Sequence, residues 1–425
     1  MKYDLVIFGG GTSGIAAAYT AAKLGINCLL VEKSDVLGGS ITQGLVVPTM
    51  KVNSCDINTD FYNDLLSFSK KYNAQYTYTD GNTGWFNPEL LKIVFDKMIK
   101  SVNCSVLFDS EPISGSYTDN EFHFEIKNKM LSLHIDTDYF IDATSNAEIF
   151  RLLNLKLQDN SKEKQAPSLR FMISNVYLTD FADWILSIDK NEDVTTVDYS
   201  GDKVHLSTAC TWDSAKNWAL TPYFLKAVAD GVLESNDTAY FQIFTVPNMQ
   251  GTVAVNAPRI ILDDNEDILS PFIYSKALIQ GRERIYRLHN FCKKYLIGFE
   301  NSYISHISDM LGIRESYRIK GKYTYTKEDF VSQKCFDNIA FACDYPIDIH
   351  SNNTSKDKLI NQKKCCYVPL EVLISADNDK AYAVGRILSA DFEAQSALRT
   401  QMSCFSMGEA AAKDIFKKLN PNKMQ

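Results

Sequence analysis

The chain has 425 residues, which is enough for about two or three domains that each bury a core. Its 44 basic and 52 acidic residues give a formal net charge of −8 without a long basic run, so nucleic acid is not an expected partner. No apolar run reaches membrane-spanning length, and an apolar strand begins a few residues after Met1. We therefore expect no leader peptide, no membrane partner and a cytoplasmic location.

The ten cysteines are scattered, a pattern that predicts reduced thiols rather than a disulfide framework. Only Cys365 and Cys366 are close neighbours. Two reduced thiols on a strand is the favoured interpretation of this pair, and a strained redox disulfide is the alternative. No His/Cys cluster has the spacing of a zinc site, so no metal is expected.

The chain opens with an apolar run, LVIF, then the glycine cluster GGGTSG and the small-residue segment IAAAYTAAKLG. This order predicts a dinucleotide-binding βαβ unit, with an ordinary strand-to-helix turn as the alternative. Gly9 permits the sharp turn, Gly11 lets a phosphate approach the backbone, and Gly14 lets the helix pack on the sheet. The amides of Gly11, Thr12 and Ser13 then point at a pyrophosphate.

A second buried strand, within INCLLVEK, ends at Glu32, the position from which a carboxylate accepts hydrogen bonds from ribose hydroxyls. Lys33, which follows it, is a further candidate cofactor contact. The next segment keeps the backbone bare for a flat ring, and its candidate contacts are Gly38, Gly39, Ser40 and Thr42.

Helices are predicted near residues 61–71 and over 88–100, and strands within 104–117, 121–128 and 131–144. The last strand is apolar towards its end and predicts a return to the parallel sheet beside the nucleotide. Ile113 and Thr144 in these strands are candidate cofactor contacts.

The later chain divides into an irregular aromatic part and a part that returns to the nucleotide domain. A helix is predicted over 275–295, a short buried strand within YAVGRI, and a small-faced helix over 407–419. The fold is predicted to be α/β: a discontinuous Rossmann-like nucleotide-binding domain over 1–154 and 312–425, with an inserted α+β substrate domain over 155–311.

Several motifs occur in one order along almost the whole chain: GGGTSGIAAA, VEK, LGGSITQGLV, YFIDATSNAEI, VNAPRI, ALIQGRERI, GFENSYI, LGIRESYRIKGKYTYTKEDF, YPIDIH, AVGRILSADFEAQSALR and QMSCFSMGEAAA. In these motifs the chain resembles the FAD-dependent oxidoreductase family, a broad group of bacterial flavoproteins in the glutathione-reductase-like superfamily. The resemblance implies a three-layer FAD-binding domain, an inserted domain and FAD as the cofactor. It also places Gly385 and Arg386 at the cofactor.

The chain departs from the family pattern at three places, one of which is the usual Pro-Thr of the last motif, replaced here by Met402 and Ser403. Ser145 and Asn146 stand where the family has Gly-Asp, and Asp391 and Phe392 stand where a histidine is often found. A histidine role at the latter place is therefore not carried over. The helix beginning near Gly408 is expected to aim its N-terminus at the flavin, and packing of small residues is its structural alternative.

Three residues in the motifs are candidates for substrate chemistry: His350, Arg318 and Arg399. Arginine binds an anion in a bidentate way, and histidine exchanges protons near neutral pH. The alternatives are an ion-pair network of Arg314 and Arg318 with Glu315, and a core role for His350. Cys404 is expected to be a buried thiol rather than a thioether link to the flavin.

With FAD as the implied cofactor, the leading hypothesis is an FAD-dependent oxidoreductase that transfers a hydride from a small organic substrate to flavin N5 and is reoxidised by oxygen or another acceptor. A second glycine fingerprint and a redox cysteine pair after the Gly38 loop are both missing, which disfavours a pyridine-nucleotide disulfide reductase. The alternatives are an NAD(P)H-using flavin reductase or monooxygenase, and a non-catalytic FAD-binding module. The substrate and the oligomeric state stay open.

Overall fold

The computed structural model describes residues 1–50, 57–78, 81–159, 164–200, 203–211, 218–238, 240–263, 265–351, 358–360 and 365–421. Within these ranges the strands are β1 (Lys2–Phe8), β2 (Cys28–Val31), β3 (Gln75–Tyr76), β4 (Trp85–Phe86), β5 (Ser105–Leu107), β6 (Ser110–Thr118), β7 (Glu121–Asn128), β8 (Leu131–Asp142), β9 (Phe171–Ser174), β10 (Thr196–Ser200), β11 (Lys203–Thr211), β12 (Tyr240–Thr245), β13 (Val253–Val255), β14 (Tyr303–Ile307), β15 (Ile339–Cys343), β16 (Ile347–Ile349), β17 (Lys358–Ile360), β18 (Cys366–Pro369) and β19 (Ala381–Ala383). The α-helices are α1 (Thr12–Lys23), α2 (Asp60–Lys71), α3 (Pro88–Ser101), α4 (Glu148–Leu152), α5 (Leu178–Ile188), α6 (Thr221–Ala229), α7 (Pro271–Tyr295), α8 (Lys327–Ser332), α9 (Phe392–Leu398) and α10 (Gln401–Leu419).

The first sheet has the strand order β5-β2-β1-β8-β7-β6, and β19 also pairs with β8. The pairs β1–β2, β1–β8, β2–β5 and β19–β8 are parallel, whereas β6, β7 and β8 form an antiparallel extension. The predicted return of the chain to the parallel sheet is therefore confirmed, with Ile141 opposite Ile7. Strands from both ends of the sequence share this sheet, which confirms the α/β fold class.

The second sheet is antiparallel and has the order β10-β11-β12-β13-β9-β14. Its core includes rings from helices and strands: the ring of Phe224 in α6 lies 4.3 Å from that of Phe291 in α7 and 5.2 Å from that of Phe241 in β12. Stacked and edge-to-face rings of this kind join α6 and α7 to the sheet. All its strands fall between residues 171 and 307, while the domain boundaries at 154 and 311 stay predictions.

The helices predicted near 61–71 and over 88–100 are present as α2 and α3. Two other helices begin earlier than predicted. The α7 helix begins at Pro271, because proline suits the first helical position. The α10 helix begins at Gln401 rather than near Met407, and its first turns bury polar and small residues such as Ser403 and Cys404, which hide a helical pattern.

The prediction of two reduced thiols is wrong for Cys365, which is disulfide-bonded. The adjacent Cys366 is buried in β18 and donates a hydrogen bond to the carbonyl oxygen of Phe330. The two cysteines are not joined to each other, because Cys366 is a free thiol. Among the described residues, no helix combines the length and the apolar character needed to cross a bilayer.

Candidate active site

A cavity of about 300 Å³ lies where the N-terminal glycine segment, the second sheet and the start of α10 meet. The residues that line it include two sets, the glycine group and the arginine group. The glycine group consists of Gly11, Thr12, Ser13, Gly39, Ser40 and Gly385. The arginine group consists of Arg170, Tyr240, Arg314, Tyr345, Asp348, His350 and Arg399.

The glycine group begins at the turn between β1 and α1. Gly9 has a φ of +99°, and a Cβ on it would lie 2.5 Å from the carbonyl oxygen of Ala143. No heavy atom lies within 4 Å of a Cβ built on Gly11, which caps α1 without a side-chain hydrogen bond. The first amides of a helix lack intrahelical partners, so the turn presents free donors beside open space. Gly14 follows in the first turn, packed against the carbonyl oxygen of Gly9.

Glu32 follows β2 and is buried beside this turn. One carboxylate oxygen accepts a hydrogen bond from the Gly10 amide at 2.6 Å, and the other accepts from the amide and hydroxyl of Ser34 at 2.8 and 2.7 Å. A carboxylate has about four acceptor positions, so one remains for a ribose hydroxyl. Lys33 is exposed, lies 3.8 Å from the Glu148 carboxylate and does not line the cavity.

The loop after Glu32 lies against the turn. The amide of Gly38 donates to the carbonyl oxygen of Gly10 at 2.8 Å, which brings Gly39 and Ser40 to the cavity. Thr42 is buried, and its hydroxyl donates to the carbonyl oxygen of Leu37 at 2.7 Å. Thr42 therefore holds the loop from inside and is absent from the cavity lining.

The segment after β8 is held by Asp142, which is fully buried. Its carboxylate accepts hydrogen bonds from the amide and hydroxyl of Thr144 and from the amides of Ile149 and Phe150. Burial raises the pKa of Asp142 to about 6 against the effect of these donors. The Thr144 side chain serves this internal network, whereas the neighbouring Ser145 lines the cavity.

Arg386 lines the cavity beside Gly385, but its guanidinium is occupied by the protein. It donates to the carbonyl oxygens of Ser145 and Ile313 and to Asn146 Oδ1. Burial, followed by the charge of Arg399, lowers the pKa of Arg386 to about 10. Arg386 thus ties the loop after β8 to the segment before Arg314.

Gly408 lies inside α10 and not at its start. A Cβ on Gly408 would lie 2.1 Å from the carbonyl oxygen of Ser13, so Gly408 allows α10 to pack on the first turn of α1. The helix N-terminus at the cavity is instead formed by Thr400 and Gln401. The expected helix end is present, but different residues form it.

Two other candidates lie outside the cavity lining. Ile113 is 44% exposed on β6, in the antiparallel extension of the first sheet. Arg318 is buried and donates to the Glu315 carboxylate at 3.1 Å. The ion-pair alternative therefore describes Arg318, while Arg314 lines the cavity and does not join the pair.

The arginine group is assembled from distant parts of the chain. Arg170 precedes β9, Arg314 follows β14, and Arg399 caps the end of α9. Burial lowers the pKa of Arg314 to about 9, with further lowering by Arg399, Arg259 and Arg170. Burial likewise lowers the pKa of Arg170 to about 10. Arg170, Arg314 and Arg399 line the same cavity, which accounts for these mutual effects on the pKa values.

His350 connects Asp348 to Arg259. Its Nδ1 lies 2.9 Å from Arg259 Nη2, and its Nε2 lies 3.0 Å from Asp348 Oδ2. A guanidinium only donates, so Nδ1 accepts and the proton resides on Nε2. Burial and the charge of Arg314 lower the pKa of His350 to about 4. His350 is therefore a neutral ring with both nitrogens engaged, which argues against a proton-transfer role.

Asp348 is the carboxylate of the arginine group. Burial opposes its ionisation, but the hydrogen bond from His350 and the charges of Arg399 and Arg314 hold the pKa of Asp348 well below its usual range. The Tyr345 hydroxyl also donates to Asp348 Oδ2 at 3.2 Å. Sequence reasoning missed Arg170, Tyr240, Tyr345 and Asp348. The motif YPIDIH contains two of them, and the signal was the acidic residue two positions before His350.

A sequence profile of the family described as FAD dependent oxidoreductase matches residues 4–414. A stretch of 38 residues, 9% of this chain, is 50% identical to digeranylgeranylglycerophospholipid reductase 2 of Methanothermobacter thermautotrophicus and covers 10% of that protein. Another of 56 residues, 13% of this chain, is 38% identical to dihydrolipoyl dehydrogenase of Bacillus subtilis and covers 12% of it. The chain thus matches only about a tenth of the length of each of these relatives.

Among solved structures, a geranylgeranyl bacteriochlorophyll reductase-like protein from Thermoplasma acidophilum aligns with 99% of this chain and 79% of its own. The sequence identity is 12% and the TM-score is 0.48.

The residues of the cavity fit the cofactor of the matching family. The start of α1 offers amides beside the open space at Gly11, and Glu32 keeps an acceptor position. Because the family profile spans nearly the whole sequence, the chain belongs to the FAD-dependent oxidoreductase family, and it is an enzyme whose cofactor is FAD.

Proposed function

We propose that this enzyme oxidises a small organic substrate that binds at the arginine group, with transfer of a hydride to FAD and reoxidation by oxygen or another acceptor. The observation that carries the proposal is one cavity lined by both the glycine group and the arginine group. A reacting carbon and a cofactor must meet in a single space, and this cavity offers dinucleotide-binding backbone and charged side chains together. FAD, when bound, supplies the two-electron acceptor at N5.

In this proposal the glycine group binds FAD and the arginine group binds the substrate. Gly11, Thr12 and Ser13 bind the pyrophosphate through backbone amides, and Glu32 accepts from the ribose. The N-terminus of α10 at Thr400 and Gln401 presents a positive dipole end to the cavity.

The arginine group binds and orients the substrate. Arg314 and Arg399 supply charged donors, and the hydrogen bonds of Asp348 with His350 and Tyr345 keep this side of the cavity in one arrangement. His350 acts through Arg259 and Asp348 and is a positioning residue.

The test follows the visible spectrum of the purified holoenzyme under anaerobic conditions. Small organic acids, alcohols and amines are added one at a time, and NADPH is added to a separate sample. We expect one organic compound to bleach the flavin absorption and air to restore it. Bleaching by NADPH alone would overturn the proposal in favour of an NAD(P)H-using reductase or monooxygenase.

A variant pair locates the reaction. Arg399→Gln removes a guanidinium that lines the cavity, whereas Arg282→Gln removes one from the exposed surface of α7. We expect the bleaching rate at limiting substrate to fall at least about tenfold in Arg399→Gln, which corresponds to about 1.4 kcal/mol, and to stay unchanged in Arg282→Gln. Equal bleaching rates in both variants would mean that the substrate does not bind at the arginine group.

A further inference from the structure

Three guanidiniums of the arginine group have no carboxylate partner among the described residues. Within the described part of the chain, the Arg170 side chain makes no hydrogen bond, and its Nη1 is buried without an acceptor. Arg314 donates to the carbonyl oxygen of Ala166. Arg399 donates from Nη2 to Gln165 Oε1 at 3.3 Å and to the Asp348 carbonyl oxygen at 3.5 Å, while its Nε is buried without an acceptor.

The carboxylate of Asp348 does not fill this gap. Its Oδ2 accepts from His350 Nε2 at 3.0 Å and from the Tyr345 hydroxyl at 3.2 Å, and no guanidinium of the described chain pairs directly with it. Asp348 neutralises one unit of charge at longer range. Because His350 is neutral, Arg170, Arg314 and Arg399 together with Asp348 carry a formal charge of two positive units. Arg386, which also lines the cavity but donates only to uncharged oxygens, adds a third.

Leaving a guanidinium in a protein interior without a counter-charge is unfavourable, since the desolvation of the ion is not offset. Burial and mutual repulsion lower the pKa of Arg314, which expresses the same cost. Uncompensated charge gathered in a cleft is characteristic of a site that is completed by its ligand.

We propose that the substrate is a small dicarboxylate, held by Arg170, Arg314 and Arg399, whose two negative charges complete the ion pairs that the protein lacks. The planar guanidinium matches the two oxygens of a carboxylate and forms paired hydrogen bonds with it. Three guanidiniums from three separate segments can hold two carboxylates at once, and this fixes the orientation of the carbon chain between them. The inference rests on the proposed function for the site but names its ligand class.

The test measures binding without turnover, using malonate as a dicarboxylate and malonamide as its uncharged analogue of the same shape. Propionate carries one carboxylate, and inorganic phosphate serves as a different oxyanion. Binding to the FAD-loaded enzyme is followed by isothermal titration calorimetry and by the shift of the flavin spectrum. We expect malonate to bind at least about tenfold more tightly than propionate and malonamide not to bind, since each guanidinium–carboxylate pair contributes a charge-assisted hydrogen bond.

Variants locate the bound malonate. Arg314→Gln and Arg170→Gln should each weaken malonate binding at least about tenfold, while Arg282→Gln, which makes the same change of charge on the exposed surface, should leave it unchanged. The FAD content and the circular dichroism spectrum report whether each variant is folded. The wild-type series of ligands tests the inference even where a variant fails to fold.

Equal binding of malonate and malonamide would overturn the inference, and so would tighter binding of phosphate than of malonate. The outcome is separate from that of the proposed function. If an uncharged compound bleaches the flavin and malonate does not bind, the dicarboxylate inference is wrong and the proposed oxidoreductase function stands. If malonate binds but only NADPH reduces the flavin, the anion site is supported and the proposed reaction is wrong.

Discussion

Helix α7 and the cavity both hold arginine side chains, but those of α7 pair with the buried carboxylate of Asp237 and those of the cavity have no such partner among the described residues. Arg287 donates from Nε and Nη2 to the two oxygens of Asp237 at 2.6 and 2.9 Å, and Arg284 Nε lies 3.9 Å from the same carboxylate. In the cavity, Arg170 and Arg314 have no carboxylate partner among the described residues.

The difference separates two uses of one residue type. On α7 the arginines lie three positions apart on one helix face, opposite a short turn at Ser235–Thr238, so the ion pairs join two elements of the second sheet's domain. In the cavity the same residue type carries an uncompensated charge, whose use requires a ligand. The arginines of α7 stabilise the fold, and those of the cavity are available to bind an anionic ligand.

The largest expected effect is at Asp237. Asp237→Ala leaves Arg284 and Arg287 with no buried carboxylate, and we expect the free energy of unfolding to fall by about 3–5 kcal/mol. Urea denaturation measures the loss. Glu283→Ala, on the exposed side of α7, is the control and should change the free energy by less than about 0.5 kcal/mol. A loss below about 1 kcal/mol for Asp237→Ala would mean that the paired cluster is not structural.

The next effect concerns pH. The pKa of His350 is lowered to about 4, whereas an unfolded histidine titrates near 6.5. Between these values the unfolded chain binds more protons, so the free energy of unfolding falls as the pH is lowered. This group should contribute a loss of about 2 kcal/mol between pH 7 and pH 5.

Denaturation of His350→Gln at the two pH values should therefore show a smaller loss than wild type by about 2 kcal/mol. His134→Gln, at an exposed position, should keep the wild-type difference. If His350→Gln also keeps the wild-type difference, the assignment of His350 as a neutral ring between Arg259 and Asp348 is wrong.

A smaller effect is expected at Tyr345. Tyr345→Phe removes the hydroxyl that donates to Asp348 Oδ2 at 3.2 Å, and we expect a loss of about 1 kcal/mol in the free energy of unfolding. Urea denaturation at pH 7 measures it. Tyr303→Phe, at an exposed position on β14, is the control and should not change stability. A loss as large as that of Asp237→Ala would show that Asp348 depends on this single donor.

The smallest effect on stability is expected at Arg314. Arg314→Gln removes a cation without a carboxylate partner, so the free energy of unfolding of the ligand-free enzyme should stay within about 1 kcal/mol of wild type. The comparison variant is Arg287→Gln, which breaks a bidentate pair and should clearly destabilise the protein. Equal losses of stability in the two variants would contradict the distinction between the paired arginines of α7 and the arginines of the cavity.

The glycine group could be predicted because its geometry is local. Gly9, Gly11 and Gly14 lie within six residues between a strand and a helix, where backbone geometry leaves little choice. Ile113 lies on a strand of the antiparallel extension of the sheet, with its side chain exposed and outside the cavity lining, and its role as a cofactor contact stays a prediction. Gly408 was assigned to a helix start because the polar residues before it hide the first turns of α10.

The arginine group could be predicted only in part. Arg314 and Arg318 are four residues apart, but the segment between β14 and α8 is irregular, so spacing did not reveal which faces the cavity. His350 and Arg399 were recognised through their motifs, whereas Arg170 and Tyr240 lie in segments without a distinctive pattern. Their partners come from strands and loops far apart in the chain.

The sequence by itself determined the βαβ unit, the parallel return of β8, and the cofactor class through its ordered motifs. The βαβ unit depends on short-range backbone geometry, which local residue types specify, and the end of β8 is marked by a local run of apolar residues. Only the tertiary structure decided which arginines are paired. Pairing depends on distances between residues such as Arg170, Arg314 and Asp348, and long-range packing of the two sheets sets those distances.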